Sequence, residues 1–285
     1  TVVTFKALPQ LFKTIALGTS LKFSTHTTNE TAIVEGITNS MHITARFPQE
    51  SKLLNADHIT VQVVVSEVPF RRQKAALHSI LDRQPPLHWL LLELFLGNTE
   101  KLAKHNRLKH DHFAFHQPEA EGFPLLNEFQ VTAVNSALSH RFTSIQGPPG
   151  TGKTTVIAAI AYSLVRNGVK PILVCAQSNV AADFATKRIA QTGLNVVRVL
   201  GSTREAIESD IKPFTTRQKA IDRFGAEFES LLQHSDDQET RWNIINKEHD
   251  IVVGSDVVCA TCVSSGGARL KNVFFHTVIF DEAGQ

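Results

Sequence analysis

Hydrophobic and β-branched residues recur in short runs along the first quarter of the chain, and turn-forming residues separate these runs. From about Thr14 to Val68 there are four of them, at residues 21–25, 31–34, 41–47 and 58–65. Runs of this composition, bounded by turn residues, are typical of short β-strands. The pattern predicts a small antiparallel sandwich or β-barrel over residues 1–70.

The next segment has the spacing of helices. Apolar side chains that share one helical face fall into two groups. They are Ala75, Leu77, Ile80 and Leu81, then Leu90, Leu91, Leu94 and Phe95. Pro85 and Pro86 separate the groups, and proline does not continue a helix. With the basic, histidine-rich loop that follows, this predicts stalk helices and a loop over residues 71–120.

From about residue 121 the pattern changes to strands that alternate with helices, which is typical of an α/β domain with a parallel sheet. The predicted strands are residues 143–146, 171–175, 195–200, 256–259 and 277–280. Residues 203–250 are acidic and lack a strand pattern, so we predict a helical insertion there. Functional loops are expected at the carboxyl ends of the strands.

A phosphate loop of the pattern G-x-x-x-x-G-K-[ST] follows the first of these strands. It contains Gly147, Pro148, Pro149, Gly150, Thr151, Gly152, Lys153, Thr154 and Thr155. In this motif the glycines let backbone N–H groups close around phosphates, while Lys153 reaches the β- and γ-phosphate oxygens and the Thr154 hydroxyl binds Mg²⁺. A helix that follows directly would point its N-terminus at the anion. The motif predicts a nucleoside-triphosphate site, and a glycine-rich turn without a ligand is the alternative.

An acidic pair, Asp281 and Glu282, follows the last predicted strand. In a phosphate-loop enzyme this arrangement lets Asp281 hold Mg²⁺ through its hydration shell, while Glu282 orients and deprotonates the attacking water. An ordinary surface acidic pair is the alternative. The complete phosphate loop upstream favours the catalytic interpretation.

The formal net charge of the 285 residues is +2, so the chain has no overall electrostatic signature of a nucleic-acid binder and any such surface is local. Residues 71–112 are basic and residues 202–250 are acidic. For both stretches a solvated face is the simpler interpretation.

The chain contains three cysteines, too few for a disulfide framework, which favours a reducing, cytoplasmic location. Cys259 and Cys262 have metal-ligand spacing, but no second pair completes a zinc site. His112 and His116 lack the glutamate of the helical zinc motif. No apolar stretch is long enough to span a membrane, so no membrane partner is expected.

These residues resemble the superfamily 1 helicases of the type that includes regulator of nonsense transcripts 1. The resemblance is strong from about Leu125 onward and weaker, by layout, before it. Its motifs are residues 126–130, the phosphate loop, residues 173–183 and 193–200, residues 204–207, residues 259–263 and residues 281–285. Gln177 and Gly284 depart from the usual pattern at positions without a chemical role.

The resemblance implies an ATP-dependent motor with a RecA-like domain over residues 121–285, preceded by a β-barrel on stalk helices. It assigns adenine reading to Gln130, with Asn127 and Gln130 as a helix capping box being the alternative. Contacts to the nucleic-acid backbone fall to Ser178, Asn179 and Thr261. Helix capping and a turn hydroxyl are the alternatives for these three residues.

The resemblance also implies a second RecA-like domain whose arginines complete ATP hydrolysis. These residues do not include that domain. Because the sequence begins at Thr1 and ends at Gln285, we expect a piece of a longer polypeptide that is inactive by itself and needs the second domain in cis or in trans.

The function predicted from the sequence is the first motor half of an ATP-dependent helicase on single-stranded RNA, with ATP and Mg²⁺ as cofactors. A role in nonsense-mediated mRNA decay follows from the resemblance alone. Three alternatives remain open: a DNA or mixed RNA and DNA helicase similar to the immunoglobulin mu-binding helicases, a truncated module that binds nucleotide and RNA without catalysis, and, least favoured, a phosphate-loop kinase or GTPase.

Overall fold

The computed structural model describes residues 2–6, 15, 19–25, 28–38, 42–47, 51, 59–63, 67–81, 89–108, 113–201, 210–234 and 237–284. The chain forms two compact units. Residues up to Arg71 belong to the first, and residues 72–200 with 210–284 belong to the second. None of the described helices is both long enough and apolar enough to cross a membrane.

The first unit is an antiparallel sheet of five strands in the order β1-β4-β3-β2-β5. The strands are β1 (Val2–Lys6), β2 (Ser20–Ser24), β3 (Asn29–Ile37), β4 (His42–Arg46) and β5 (Thr60–Val63). The last four coincide with the four runs found in the sequence. β1 was not predicted, although its residues alternate between exposed and half-buried.

One face of this sheet carries its core, because side chains two apart point to the same side. Leu21 and Phe23 of β2 and Ile43 and Ala45 of β4 are buried together with Phe47. Among the described residues, β1 and β5 are the edges of the sheet. Closure of the sheet into a barrel therefore stays a prediction.

Three helices follow: α1 (Val68–Leu81), α2 (Trp89–Phe95) and α3 (Thr99–His105). The first two correspond to the predicted stalk helices, whereas the predicted break at Pro85 and Pro86 lies outside the described residues. α3 corrects the prediction of a loop. An ion pair of 2.9 Å between Lys101 and Glu93 links it to α2, and Lys104 and His105 in its last turn suit the helix dipole.

The second unit is built on a parallel sheet in the order β7-β8-β6-β9. Its strands are β6 (Ile172–Ala176), β7 (Val196–Val199), β8 (Val257–Thr261) and β9 (Thr277–Asp281). They match four of the five strands predicted for this region. β6, β7 and β8 are buried along their whole length, which explains why they read as continuous apolar runs.

Two helical layers cover the two faces of this sheet. Helices α4 (Glu128–Ser139), α5 (Lys153–Arg166) and α6 (Asn179–Ala190) share one core with Ile172 and Val174 of β6. Helices α7 (Thr216–Phe224), α8 (Ala226–Gln233) and α9 (Gln238–Val253) share the other core with Leu173 and Cys175. The region predicted as a helical insertion is therefore helical over its described part and supplies the second layer of the domain. The last helix, α10 (Cys262–Ser265), is a single turn after β8.

The strand predicted at residues 143–146 is wrong. This segment belongs to no sheet among the described residues, and Ser144, Ile145 and Gln146 are exposed. Ile145 is its one bulky apolar side chain and is 38% exposed. The run is also short. Gly147, Pro148 and Pro149 follow it directly, and the two prolines have no N–H group to donate to a neighbouring strand.

Candidate nucleotide and nucleic-acid site

The carboxyl ends of three strands meet in one row of the parallel sheet. Ala176 of β6 pairs with Thr261 of β8 and with Asp281 of β9. The residues that follow these strands therefore lie at the same edge. This register brings together the segments that contain the predicted residues Ser178, Thr261 and Asp281.

Lys153 and Asp281 connect the phosphate loop to that edge. Burial raises the pKa of the Asp281 carboxyl, and the Glu282 backbone N–H and the positive charge of Lys153 partly oppose the rise. Helix α5, which begins at Lys153, contacts β9, which ends at Asp281. The structure thus brings together the two halves of the site predicted from distant parts of the sequence.

The phosphate loop depends on glycine at defined places. Gly150 and Gly152 have positive φ angles of 81° and 80°, a conformation that L-residues with a Cβ rarely adopt. An added Cβ on Gly147 would lie 2.7 Å from the Thr151 hydroxyl, and one on Gly152 would lie 2.6 Å from Nε2 of Gln130. Side chains at these positions would close the cradle. Gly152 is the N-cap residue of α5 and offers no side-chain cap, so the first-turn N–H groups of the helix have no partner within it.

The Lys153 ammonium is held by the loop itself. Its Nζ donates to the carbonyl oxygens of Gly147 at 2.8 Å and Pro148 at 3.1 Å. The Thr151 hydroxyl also donates to Pro148 O, at 2.8 Å. These bonds keep the positive charge over the loop, where phosphate oxygens would replace the carbonyls as acceptors.

Gln130 has two mechanical roles in this structure. It forms a capping box at the start of α4, in which its N–H donates to Asn127 Oδ1 at 2.9 Å and its Oε1 accepts from Asn127 N–H at 3.0 Å. Its Nε2 donates to Thr151 O at 3.0 Å. The capping alternative is therefore present, and the second bond ties α4 to the phosphate loop. Adenine reading by Gln130 stays a prediction.

Two of the three predicted nucleic-acid residues cap helices. The Ser178 hydroxyl accepts from Ala181 N–H at 3.1 Å, at the start of α6. The Thr261 hydroxyl accepts from Ser264 N–H at 3.1 Å and donates to Ser264 Oγ at 2.9 Å. Ser178 is exposed, whereas Thr261 is buried. Contact with a ligand is therefore easier for Ser178.

Asn179 is hydrogen-bonded to Arg198, which lies in the motif at residues 193–200 but was given no role there. Arg198 is fully buried in β7. It donates to Asn179 Oδ1 at 3.0 Å, to Asp183 Oδ1 at 2.8 Å and to Val199 O at 2.7 Å. It thereby fixes the start of α6 against the sheet. The signal in the sequence is a single cation inside a valine-rich strand, since a buried charge needs partners.

A second missed residue is Arg72 of α1. Its guanidinium donates to the carbonyl oxygen of Val263, two residues after Thr261. Gly266 and Gly267 leave the space that it occupies, because an added Cβ on Gly266 would lie 3.2 Å from Arg72 Cδ. Burial lowers the pKa of this guanidinium. The contact pins α1 to α10, the single helical turn that Thr261 caps, and no motif in the sequence predicts it.

Glu282 lies in a left-handed backbone conformation with a φ of 56°, which is uncommon for a residue other than glycine. Its N–H donates to Asp281 Oδ1 at 3.0 Å, and its side chain is exposed. Such backbone strain is often found at functional sites. The turn separates the half-buried Asp281 carboxyl from the exposed Glu282 carboxyl, as two different roles would require.

The donor set at this edge fits Mg²⁺, which prefers a few protein oxygen ligands together with phosphate and water. Thr154 supplies a hydroxyl beside Lys153, and Asp281 supplies a carboxylate. The described residues contain no group of three or more histidine, cysteine or acidic side chains that would form an all-protein metal site.

The two cysteines with metal-ligand spacing differ in exposure. Cys259 is buried, which raises its thiol pKa to about 11, whereas Cys262 is exposed.

The chain was compared with known proteins. A family model described as an AAA domain matches residues 125–242 and 226–285. Regulator of nonsense transcripts 1 of Caenorhabditis elegans is 35% identical over 235 residues, which cover 79% of this chain and 22% of that protein.

Two further relatives give the same picture. The putative regulator of nonsense transcripts 1 of Takifugu rubripes is 40% identical over 58% of this chain and 16% of its own length. The ATP-dependent helicase upf1 of Schizosaccharomyces pombe is 34% identical over 68% and 24%, respectively. The chain thus spans less than a quarter of the length of these relatives.

Proposed function

The chain belongs to the AAA domain family, among the superfamily 1 helicases of the regulator of nonsense transcripts 1 type, and we propose that it forms the ATP-binding half of an ATP-dependent RNA helicase motor. The observation that carries this proposal is the contact between helix α5, which begins at Lys153 of the phosphate loop, and strand β9, which ends at Asp281. A phosphate-loop motor needs a cation for the phosphates and an acidic strand tip side by side.

In the proposed site the backbone N–H groups of residues 150–155 and the Lys153 ammonium bind the phosphates of ATP. Lys153 exchanges its bonds to the Gly147 and Pro148 carbonyls for bonds to phosphate oxygens. Gln130 keeps its backbone bonds at the helix start or turns its amide toward adenine. Thr154 and Asp281 would hold Mg²⁺, which neutralises charge on the phosphate oxygens when it is bound.

Glu282 is the proposed base for hydrolysis. Its exposed carboxylate at the tip of β9 orients the attacking water and accepts its proton. We propose that turnover also needs arginines from a second RecA-like domain, in cis or in trans, which stabilise charge in the transition state. The chain by itself then binds ATP but turns it over slowly or not at all.

Single-stranded RNA is the proposed nucleic acid, held by its backbone at the edge that carries Ser178, Asn179 and Thr261. A hydroxyl that accepts a capping bond still has an O–H group of its own, so Ser178 is able to cap α6 and donate to a phosphate. Backbone binding tolerates every sequence and weakens with salt. The names of the relatives support a role in nonsense-mediated mRNA decay, and with it a cytoplasmic location.

The test compares ATP binding and turnover of the whole chain with those of Lys153→Ala. Loss of a charge-assisted hydrogen bond is expected to weaken ATP binding by about 10- to 100-fold. Lys170→Ala is the matched control, because Lys170 pairs with Asp256 at the opposite ends of the strands and should not affect ATP. Equal ATP affinity in all three proteins would contradict the proposed site.

Matched RNA and DNA oligonucleotides complete the test. We expect the ATP-bound chain to bind single-stranded RNA as well, and the affinity for RNA to fall as the salt concentration rises. Binding or stimulation by DNA alone would contradict the assignment to RNA. Turnover by the chain without any further domain would contradict the need for arginines from elsewhere.

A further inference from the structure

Helix α6 exposes apolar side chains on one face. Val180 is 74% exposed and Phe184 is 59% exposed, and residues four apart lie one above the other on a helix. The opposite face is buried through Ala182, Ala185 and Ile189. The exposed pair is therefore a feature of the outer face and does not belong to the core.

Arg188 continues this row one turn further on. Its Nη1 donates to Gln191 Oε1 at 3.0 Å, a neutral group that leaves its charge uncompensated by that bond. Val180, Phe184 and Arg188 together are called the α6 strip here. The nearby Asp183 does not cancel the charge of Arg188, because the Asp183 carboxylate faces the buried Arg198.

The strip begins at the edge where the proposed RNA contacts lie. Val180 is two residues after Ser178, and β6 ends in the same row as Thr261 and Asp281. An RNA backbone held at Ser178 would therefore have its bases within reach of the first turns of α6. Lys187 beside the strip is ion-paired with Asp210, so Arg188 is the cation that the strip offers.

We propose that the α6 strip is a stacking platform for single-stranded RNA, in which the Phe184 ring stacks on a base and Arg188 contacts a phosphate. This inference rests on the proposed RNA-binding function. An aromatic ring beside a cation is the combination that proteins use for single strands without sequence preference. The ring interacts with the flat face that every base has, and the cation follows the backbone.

The experiment measures binding of the whole chain to a fluorescent uridine homopolymer and to an abasic strand of the same length. Phe184→Ala is expected to weaken binding of the uridine strand by about 5- to 100-fold. Binding of the abasic strand should stay unchanged, since that strand has no base to stack. Phe184→Trp should restore the affinity. Phe274→Ala is the control, because Phe274 is a 73% exposed aromatic residue outside the strip.

Arg188→Gln tests the phosphate contact independently. The slope of log affinity against log salt should become shallower by about 0.7, the value for one phosphate contact on a single strand. The slope for Phe184→Ala should equal that of the unchanged chain. This pair of results separates stacking from charge neutralisation.

Two outcomes would overturn the proposal in distinguishable ways. If the unchanged chain binds neither strand, the proposed RNA-binding function fails and the stacking platform fails with it. If the unchanged chain binds RNA and Phe184→Ala binds equally well, the stacking platform alone fails. A change in oligomeric state of Phe184→Ala without a change in RNA affinity would instead assign the strip to a protein contact.

Discussion

At the scale of single residues, Gly152 combines two requirements that no other residue type meets. Its φ angle is 80°, and an added Cβ would lie 2.6 Å from the amide nitrogen of Gln130. The amide is the end of a flexible side chain and is able to move, but it would then lose its bond to Thr151 O. The conformation of the phosphate loop and the position of Gln130 are therefore coupled.

The first prediction concerns Gly152→Ala. The left-handed backbone is expected to lower the free energy of unfolding by about 1–2 kcal/mol, and displacement of Gln130 should lower ATP affinity as well. Gly168→Ala is the matched control, since Gly168 has a φ of 83° with nothing within 4 Å of an added Cβ. Urea unfolding should show similar losses for both variants, and ATP titration should distinguish them. Equal ATP affinity of the two variants would show that the contact with Gln130 has no role.

Motif chemistry predicted the residue types of the proposed nucleotide site but not the bonds that these residues make in the structure. The spacing of glycines, Lys153 and Thr154 indicates phosphate binding, because backbone N–H groups and a cation are needed there. The bonds of Lys153 to Gly147 O and Pro148 O depend on the conformation of the folded loop, so the sequence pattern does not predict them. Arg72 illustrates the same limit, since its partner Val263 is far away in the sequence.

At the scale of elements, the start of α6 has both a structural and a proposed binding role. Ser178 caps the helix, and substitution of an N-cap serine by alanine costs about 0.5–2 kcal/mol. Aspartate is an equally good cap but would repel a phosphate. The two roles are therefore separable by substitution at one position.

The second prediction compares Ser178→Ala with Ser178→Asp. The alanine variant should lose stability, whereas the aspartate variant should keep it and bind RNA more weakly, by about tenfold or more for one repelled phosphate contact. Asp237→Ala removes the cap of α9 and serves as the control, with unchanged RNA affinity expected. Thermal unfolding and RNA titration give the two quantities. Full RNA affinity in Ser178→Asp would contradict a phosphate at this helix start.

The third prediction concerns the buried cation that joins β7 to α6. Arg198→Met removes the ion pair between Arg198 and the largely buried Asp183 carboxylate, and breaking a buried pair from one side typically costs about 3–5 kcal/mol. The double variant Arg198→Met with Asp183→Leu should be less destabilised than the sum of the single variants. Urea unfolding of the four proteins measures this coupling. A loss below about 1 kcal/mol for Arg198→Met would mean that the network does not hold α6 in place.

Strands were predicted well from the sequence where both faces are buried. β6, β7 and β8 are apolar at nearly every position because helices cover them on two sides. Residues 143–146 misled the same reasoning, since they contain one bulky apolar residue, Ile145, and that residue is 38% exposed. Helix α3 was missed because only Leu102 and Ala103 of its seven residues are apolar, which leaves little hydrophobic periodicity.

At the scale of the whole molecule, the two units have separate hydrophobic cores. The core of the first unit contains Leu21, Phe23 and Ile43, whereas two cores flank the sheet of the second unit. Only the second unit carries the phosphate loop and the tip of β9. A ligand that binds one folded unit stabilises that unit by mass action.

The fourth prediction is therefore that ATP with Mg²⁺ raises the unfolding temperature of one part of the intact chain and leaves that of the other part unchanged. At about 100 times its dissociation constant, ATP should stabilise the unit that binds it by about 2.7 kcal/mol. Calorimetry should resolve this shift from a transition that ATP leaves in place, because separate cores need not unfold as one cooperative state. Lys153→Ala should abolish the shift without removing either transition. A single transition that moves as a whole with ATP would show instead that the two units unfold together, and that binding at Lys153 stabilises both of them.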